Sequence, residues 1–210
     1  MSRAGPEVLI VGVGNILWAD EGYGVRCAEA FADAYEAGPD VEVIDGGTQG
    51  LLLVNELADA RRVIIFDAVD FDAAAGSLII ARGSDVPRFV AGKKVSLHQT
   101  SMMEVLALAE VLADGPPEEI TLVGCQPAEL EDYGGGLTPD VAAQVAPAIE
   151  AAAAELRAWG FAPSAREAAG AALMPVEVAR GAYEAGRPSA DEACRVGDAR
   201  LLARASAEGA

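Results

Sequence analysis

Residues 8–24 read VLIVGVGNILWADEGYG, an apolar β-branched run that breaks into a glycine-rich turn and then into two adjacent carboxylates, Asp20 and Glu21. The run at 8–14 predicts a strand, and the helical pattern from about 21 to 36 predicts the first crossover of an α/β sheet. Gly12 and Gly14 stand where the first two glycines of a dinucleotide-binding turn would stand, but Leu17 occupies the place of the third. Asp20 and Glu21 would also repel a pyrophosphate at the following helix N-terminus. The turn therefore suits a cation or a protonated group, and a nucleotide-binding reading rests on two glycines alone.

The alternation continues downstream. Runs at 41–46 (VEVIDG), 63–69 (VIIFDAV), 77–82 (SLIIAR) and 119–125 (EITLVGC) are short, β-branched and bounded by Gly, Asp or Pro, with helical patterns at 50–59, 100–113 and 138–159. Parallel neighbours need a crossover of a dozen or more residues, so this order predicts an α/β three-layer sandwich. Its centre is a mainly parallel twisted sheet of about five strands with helices on both faces. The runs at 63–69 and 77–82 are joined by FDAAAG, too short for a crossover, which predicts one antiparallel strand. Thr138 and Pro139 predict a capped start for the fourth helix, Gly160 its end, and Pro147 a kink or split inside it. Ser101 with Glu104, and Ser189 with Glu192, have the spacing of capping boxes.

Residues 1–161 read as a single α/β domain, and 162–210 as an Ala-rich C-terminal extension, partly helical or mobile. The net charge of −18 is concentrated in the first part: 9 basic and 26 acidic residues lie up to Phe161, against 6 and 7 beyond it. That balance argues against nucleic acid or an anionic membrane as partner, since either needs clustered Lys and Arg. Three dispersed cysteines, Cys27, Cys125 and Cys194, with no C-x-x-C fit a reducing compartment, so a cytoplasmic protein is expected. No run approaches the roughly 18 apolar residues of a membrane span.

Ligands of an open parallel sheet bind beyond the carboxyl ends of its strands. The polar residues there are Asn15, Asp20 and Glu21 after the first strand, Asp45 after the second, and Asp67 and Asp70 after the third. The only histidine, His98, precedes the third helix. Glu21, Asp67 and His98 together offer two carboxylates and an imidazole, a set that can hold Ni, Zn or Mn with positions left open. The same residues also have bland readings, the carboxylates as helix caps and the histidine as a solvated side chain. A single histidine excludes H-E-x-x-H and three-histidine zinc sites, and no G-x-S-x-G elbow occurs. Cys125 at a strand end is a weak nucleophile candidate, a buried structural thiol being the plainer reading. Arg82, Arg88, Lys93 and Lys94 form a cationic stretch ahead of His98, either a docking edge or a solvated loop.

Five motifs in order, GVGNILWADEGYGVR at 12–26, DGGT at 45–48, FDA at 66–68, SLHQ at 96–99 and GLTP at 136–139, make the chain resemble the nickel-iron hydrogenase maturation proteases. The resemblance implies an endopeptidase, aspartyl-type or metal-assisted, that trims the C-terminal extension of a nickel-loaded hydrogenase large-subunit precursor. It implies that Glu21, Asp67 and His98 recognise the nickel, which is supplied by the precursor rather than resident, and are catalytic candidates, with Asp45 as a substrate-orienting or catalytic candidate in the cleft. Asn15, Gly46, Gly47, Thr48, Lys93 and Lys94 are then candidate substrate-binding positions, and a monomer is expected. The rival function is a non-catalytic nickel chaperone or assembly factor using the same three ligands. The extension after Phe161 carries no motif of the resemblance.

Overall fold

The computed structural model describes residues 5–48, 50–87, 102–113, 115–167 and 172–187. At its centre is β1 (Val8–Val13), whose first four residues are fully shielded from solvent. Burial of such Val, Leu and Ile side chains is worth about 1.5–3 kcal/mol each, which makes this strand the natural axis of the sheet. β1 pairs in parallel with β3 (Val41–Gly47) on one side and β4 (Arg62–Ala68) on the other. β4 pairs in parallel with β6 (Glu119–Cys125), and β5 (Leu78–Arg82) closes the edge antiparallel to β6. The order β3-β1-β4-β6-β5 is the mixed, mainly parallel five-stranded sheet expected.

Alternation along the strands divides the core in two. Val8, Ile10, Ile64, Phe66, Val123 and Cys125 face α1 (Tyr23–Ala34) and α5 (Val145–Ala158). Leu9, Val11, Val63, Ile65 and Leu122 face α2 (Val54–Asp59) and α3 (Met102–Leu112). Helices therefore cover both faces, and each face has its own apolar cluster.

The antiparallel strand is present, but not beside β4. Both edges of β4 are taken by parallel partners, so the link from β4 crosses the end of β6 and lays β5 outside it. Gln126 pins this crossing: its side-chain oxygen accepts the Phe71 and Ala73 amides, its own amide donates to the Ser77 carbonyl, and its carbonyl accepts the Gly76 amide. The expected antiparallel strand is thus borne out, and its place beyond β6 is possible because a link of this length also reaches two strand spacings, about 10 Å.

The fourth helix is split, as α4 (Pro139–Ala142) and α5. The break falls before Pro147, which occupies the third residue of α5, where its missing N–H has no intrahelical partner to lose. Thr138 does precede α4 with Pro139 at its first turn, but the Thr138 hydroxyl caps nothing and donates instead to Asp20. Gly160 takes a φ of 91° after α5, the left-handed stop expected of it. α1 ends at Ala34, because Tyr35–Glu36 (β2) pair antiparallel with Ser164–Ala165 (β7). A last helix, α6 (Arg180–Ala185), lies in the extension. Both proposed capping boxes fall outside the described residues at their serines, Ser101 and Ser189. Among the described residues no helix is long and apolar enough to cross a membrane.

Candidate functional site

β1 connects through α1 to β3 on one side, while β4 on its other side leads toward β6, so the switch point lies between the carboxyl ends of β1 and β4. Three glycines let the chain fold tightly there. A Cβ at Gly12 would lie 2.3 Å from the Gly24 carbonyl oxygen, one at Gly24 would lie 2.2 Å from the Phe66 oxygen, and one at Gly14 would run into the Glu21 carbonyl oxygen. Glycine is required because backbone meets backbone at each point. The result is that the single turn Ala19–Gly22, which carries Glu21, lies against the end of β4. Asp67 is the next residue along β4 after Phe66 and is 1% exposed, while Glu21 is half-buried. Glu21 and Asp67 are thus brought to one rim of the sheet. His98, Lys93, Lys94 and Arg88 lie outside the described residues, and among the described residues no group of three His, Cys, Asp or Glu forms a metal centre.

Asn15 closes the turn on itself: its side-chain oxygen accepts the Leu17 amide at 3.0 Å and its amide donates to the Glu21 carbonyl at 3.1 Å. Asp45 to Gly47 end β3 beside β1, and Thr48 follows them. Gly46 forms a bulge, with Gly12 opposite Asp45 and Val13 opposite Gly47, and a side chain there would strike Val11. Gly47 has a φ of 48° and donates to Asp45 Oδ1 at 2.8 Å, while its carbonyl accepts the Gly14 amide. Gly46 and Gly47 therefore shape the rim, and Thr48 is exposed beside them. Asp45, Glu42, Glu56, Leu52 and Leu53 line an open cleft of about 420 Å³ on this side. Loss of water on its wall side raises the pKa of Asp45 above the ordinary aspartate range, against the lowering effects of the Gly47 amide and the Arg26 charge.

Two further residues do what the sequence reading did not foresee. Asp20, with no solvent exposure, caps no helix of its own. Its carboxylate accepts the amides of Ala128, Glu129 and Thr138 and the Thr138 hydroxyl at 2.7–3.0 Å. It ties the Glu21 turn to the loop 126–138, as do the Gly134 amide on the Leu17 carbonyl and the Trp18–Tyr133 edge contact at 5.2 Å. Arg26, 3% exposed on α1, is the other: it pairs with Glu29 on the same helix and also reaches Met174 and Val178 beyond residue 170.

Cys125 is fully buried, and its thiol is pushed up to about 12 by burial and then by the nearby Asp20 charge, which removes it as a nucleophile. Arg82 is engaged by the buried Glu155 through two of its nitrogens while its side chain stays largely exposed.

These features define a doubly wound α/β protein with carboxylates gathered at its switch point. Residues 25–155 match the hydrogenase maturation protease family (HycI), and the chain belongs to that family of peptide hydrolases. It is 50% identical over 202 residues to the hydrogenase expression/formation protein HupD of Rhodobacter capsulatus, covering 96% of each chain. It is 40% identical over 163 residues to the hydrogenase 2 maturation protease of Escherichia coli, covering 77% of this chain and 98% of the other. The structure of the E. coli hydrogenase maturating endopeptidase HybD superposes with a TM-score of 0.70 at 38% identity, over 76% of this chain and 98% of that one. Membership in a protease family leaves the non-catalytic chaperone reading without support. The Rhodobacter match spans nearly the whole chain and so includes 172–187, which the family match does not reach.

Proposed function

We propose that this protease cleaves the C-terminal extension from a nickel-loaded [NiFe] hydrogenase large-subunit precursor, and that Glu21, Asp67 and His98 read the nickel the precursor carries. One observation carries the reading: glycine contacts at Gly12, Gly14 and Gly24 set the Glu21 turn on the end of β4 beside Asp67. A divalent cation brought to this rim would find two carboxylates whose oxygens can hold it. A metal already bound by precursor side chains would take open positions from these residues, so that only loaded substrate is seated for cutting.

Peptide hydrolysis adds water across the scissile C–N bond. A carboxylate of the rim takes a proton from the attacking water as the new C–O bond forms, and the leaving nitrogen receives a proton as C–N breaks. Asp45, whose pKa is raised by burial, is the candidate to relay it. Acid–base help of this kind is worth about 10²–10⁴-fold, so seating of the peptide must provide much of the remaining acceleration.

Full-length protein incubated with nickel-loaded precursor is expected to release the extension, read by mass spectrometry, and to leave nickel-free precursor intact. His98→Ala and Glu21→Gln should each abolish release while keeping the wild-type circular dichroism. Cleavage at the wild-type rate by either variant would overturn the site, and equal cutting of nickel-free precursor would overturn recognition through the metal.

A further inference from the structure

Residues 172–187 of the extension converge on one place. Arg26 Nη1 donates to the Val178 carbonyl at 2.8 Å and to Glu29 Oε2 at 2.9 Å, and it approaches the Met174 sulfur at 3.4 Å. Tyr183 lies under the same guanidinium, 5.4 Å from its ring centre. The Arg180 amide donates to Glu29 Oε1 at 2.8 Å. From that anchor on α1, the far side of α6 reaches loop 126–138: Arg187 pairs with Asp132 at 2.6 Å, and the Glu184 side chain fills the space over Gly136. Loop 126–138 is the one that Asp20 fastens to the Glu21 turn. The contacts therefore run without a gap from α1 through the extension and the loop back to the residue before Glu21.

We propose that residues 172–187 are a positioning brace for the active site, holding loop 126–138 and, through Asp20, the Glu21 turn in the arrangement that accepts the precursor. Arg26 is the positioning residue at its root and the Arg187–Asp132 pair its outer contact. The brace explains two facts at once. The first is a buried arginine on α1 that, besides its ion pair with Glu29, is held by the Val178 carbonyl and the Met174 sulfur about 150 positions away. The second is that 172–187 is shared with the Rhodobacter relative although it lies beyond the family match at 25–155. On this view the extension acts in selection of the precursor and takes no part in the bond-breaking step. The inference rests on the proposed cleavage of a nickel-loaded precursor only for its kinetic readout.

The test uses the full-length chain with Tyr183→Ala and Arg187→Ala combined, which removes one cation–π contact and one exposed ion pair and leaves Arg26 in place. Amide hydrogen exchange at Ala128, Glu129 and Thr138 should accelerate by about tenfold, the size expected of two such contacts. If the competent arrangement is less populated, the apparent KM for nickel-loaded precursor rises in proportion, while kcat at saturation holds. Merely lowering the amount of folded enzyme would reduce kcat and leave KM unchanged. A charge swap gives the second arm: Arg187→Asp should raise KM, and adding Asp132→Arg should restore it. Unchanged exchange in the loop, or a raised KM that the swap does not rescue, overturns the brace. Should the wild type fail to cut loaded precursor, the functional reading falls, and the exchange arm alone decides the brace.

Discussion

Asp45 shows how the rim behaves at the scale of one residue. Its carboxyl titrates above the ordinary aspartate range because its wall side has lost water, so the folded chain binds that proton more tightly than the unfolded chain. The stabilisation is complete below the unfolded pKa and disappears as pH rises through the higher folded value; at neutral pH the ionised group works against the fold. Asp45→Asn keeps an amide oxygen for the Gly47 N–H and removes the charge. The variant should therefore unfold at a higher urea concentration than wild type near pH 7, with the gap closing at about pH 3, below the ordinary aspartate pKa. A gap of equal size at both pH values would show that the carboxyl is not linked to folding. Residues of this rim differed in how far they were legible. Glu21, Asp45 and Asp67 were legible as candidates because they lie at or just after the carboxyl ends of strands, in a pattern whose ligand edge is known in advance. Asp20 was missed because its partners, Ala128, Glu129 and Thr138, lie more than a hundred positions away and three of its four hydrogen bonds go to backbone amides, which leave no mark on residue type.

At the scale of elements, the approach of α1 to β1 and β4 positions the site, and Gly24 tests it. Judged by helix propensity alone, Gly24→Ala near the start of α1 should stabilise by up to about 1 kcal/mol. Judged by contact, the new Cβ would lie 2.2 Å from the Phe66 oxygen and 2.3 Å from the Val13 oxygen, both backbone atoms that no rotamer change can move. Overpacking against fixed atoms wins: the variant should lose at least about 3 kcal/mol in urea denaturation. It should also lose precursor cleavage disproportionately, since displacing α1 displaces Glu21. A neutral or stabilising result would mean that α1 can slide, and that the glycine contacts do not set the rim. The elements themselves were largely legible: all five strands of the main sheet fall where β-branched runs end in Gly or Asp, because buried parallel strands need that composition. Neighbourhood was less so. The placement of β5 beyond β6 depends on Gln126 capturing the crossing link, a tertiary contact with no periodicity to announce it. The two-residue pairing of Tyr35–Glu36 with Ser164–Ala165 is too short to leave a pattern at all.

Across the whole molecule, charge is the dominant unbalanced quantity. The chain carries 33 acidic and 15 basic residues, and several of the cations are already committed to local pairs, Arg61 with Glu7 and Glu118, and Arg82 with Glu155. Salt has two opposed effects on such a surface. It weakens exposed pairs like those of Arg61, each worth only about 0.2–1 kcal/mol. It also screens repulsion among the many remaining carboxylates, over a Debye length that shortens from roughly 30 Å at 0.01 M to roughly 10 Å at 0.1 M. With a net charge of −18, the second effect has many more terms than the first. Raising NaCl from about 0.01 to 0.1 M should therefore increase the urea midpoint of the full-length protein at neutral pH, with most of the gain complete by the time the Debye length is near 10 Å. The same series near the sequence pI of about 4.3, where the net charge vanishes, should show little dependence. A midpoint that falls with salt at neutral pH would mean that the ion pairs outweigh the repulsion. The acidic body would then be held together by those pairs, and its charge would not be a reserve left free to meet a cationic, metal-bearing partner.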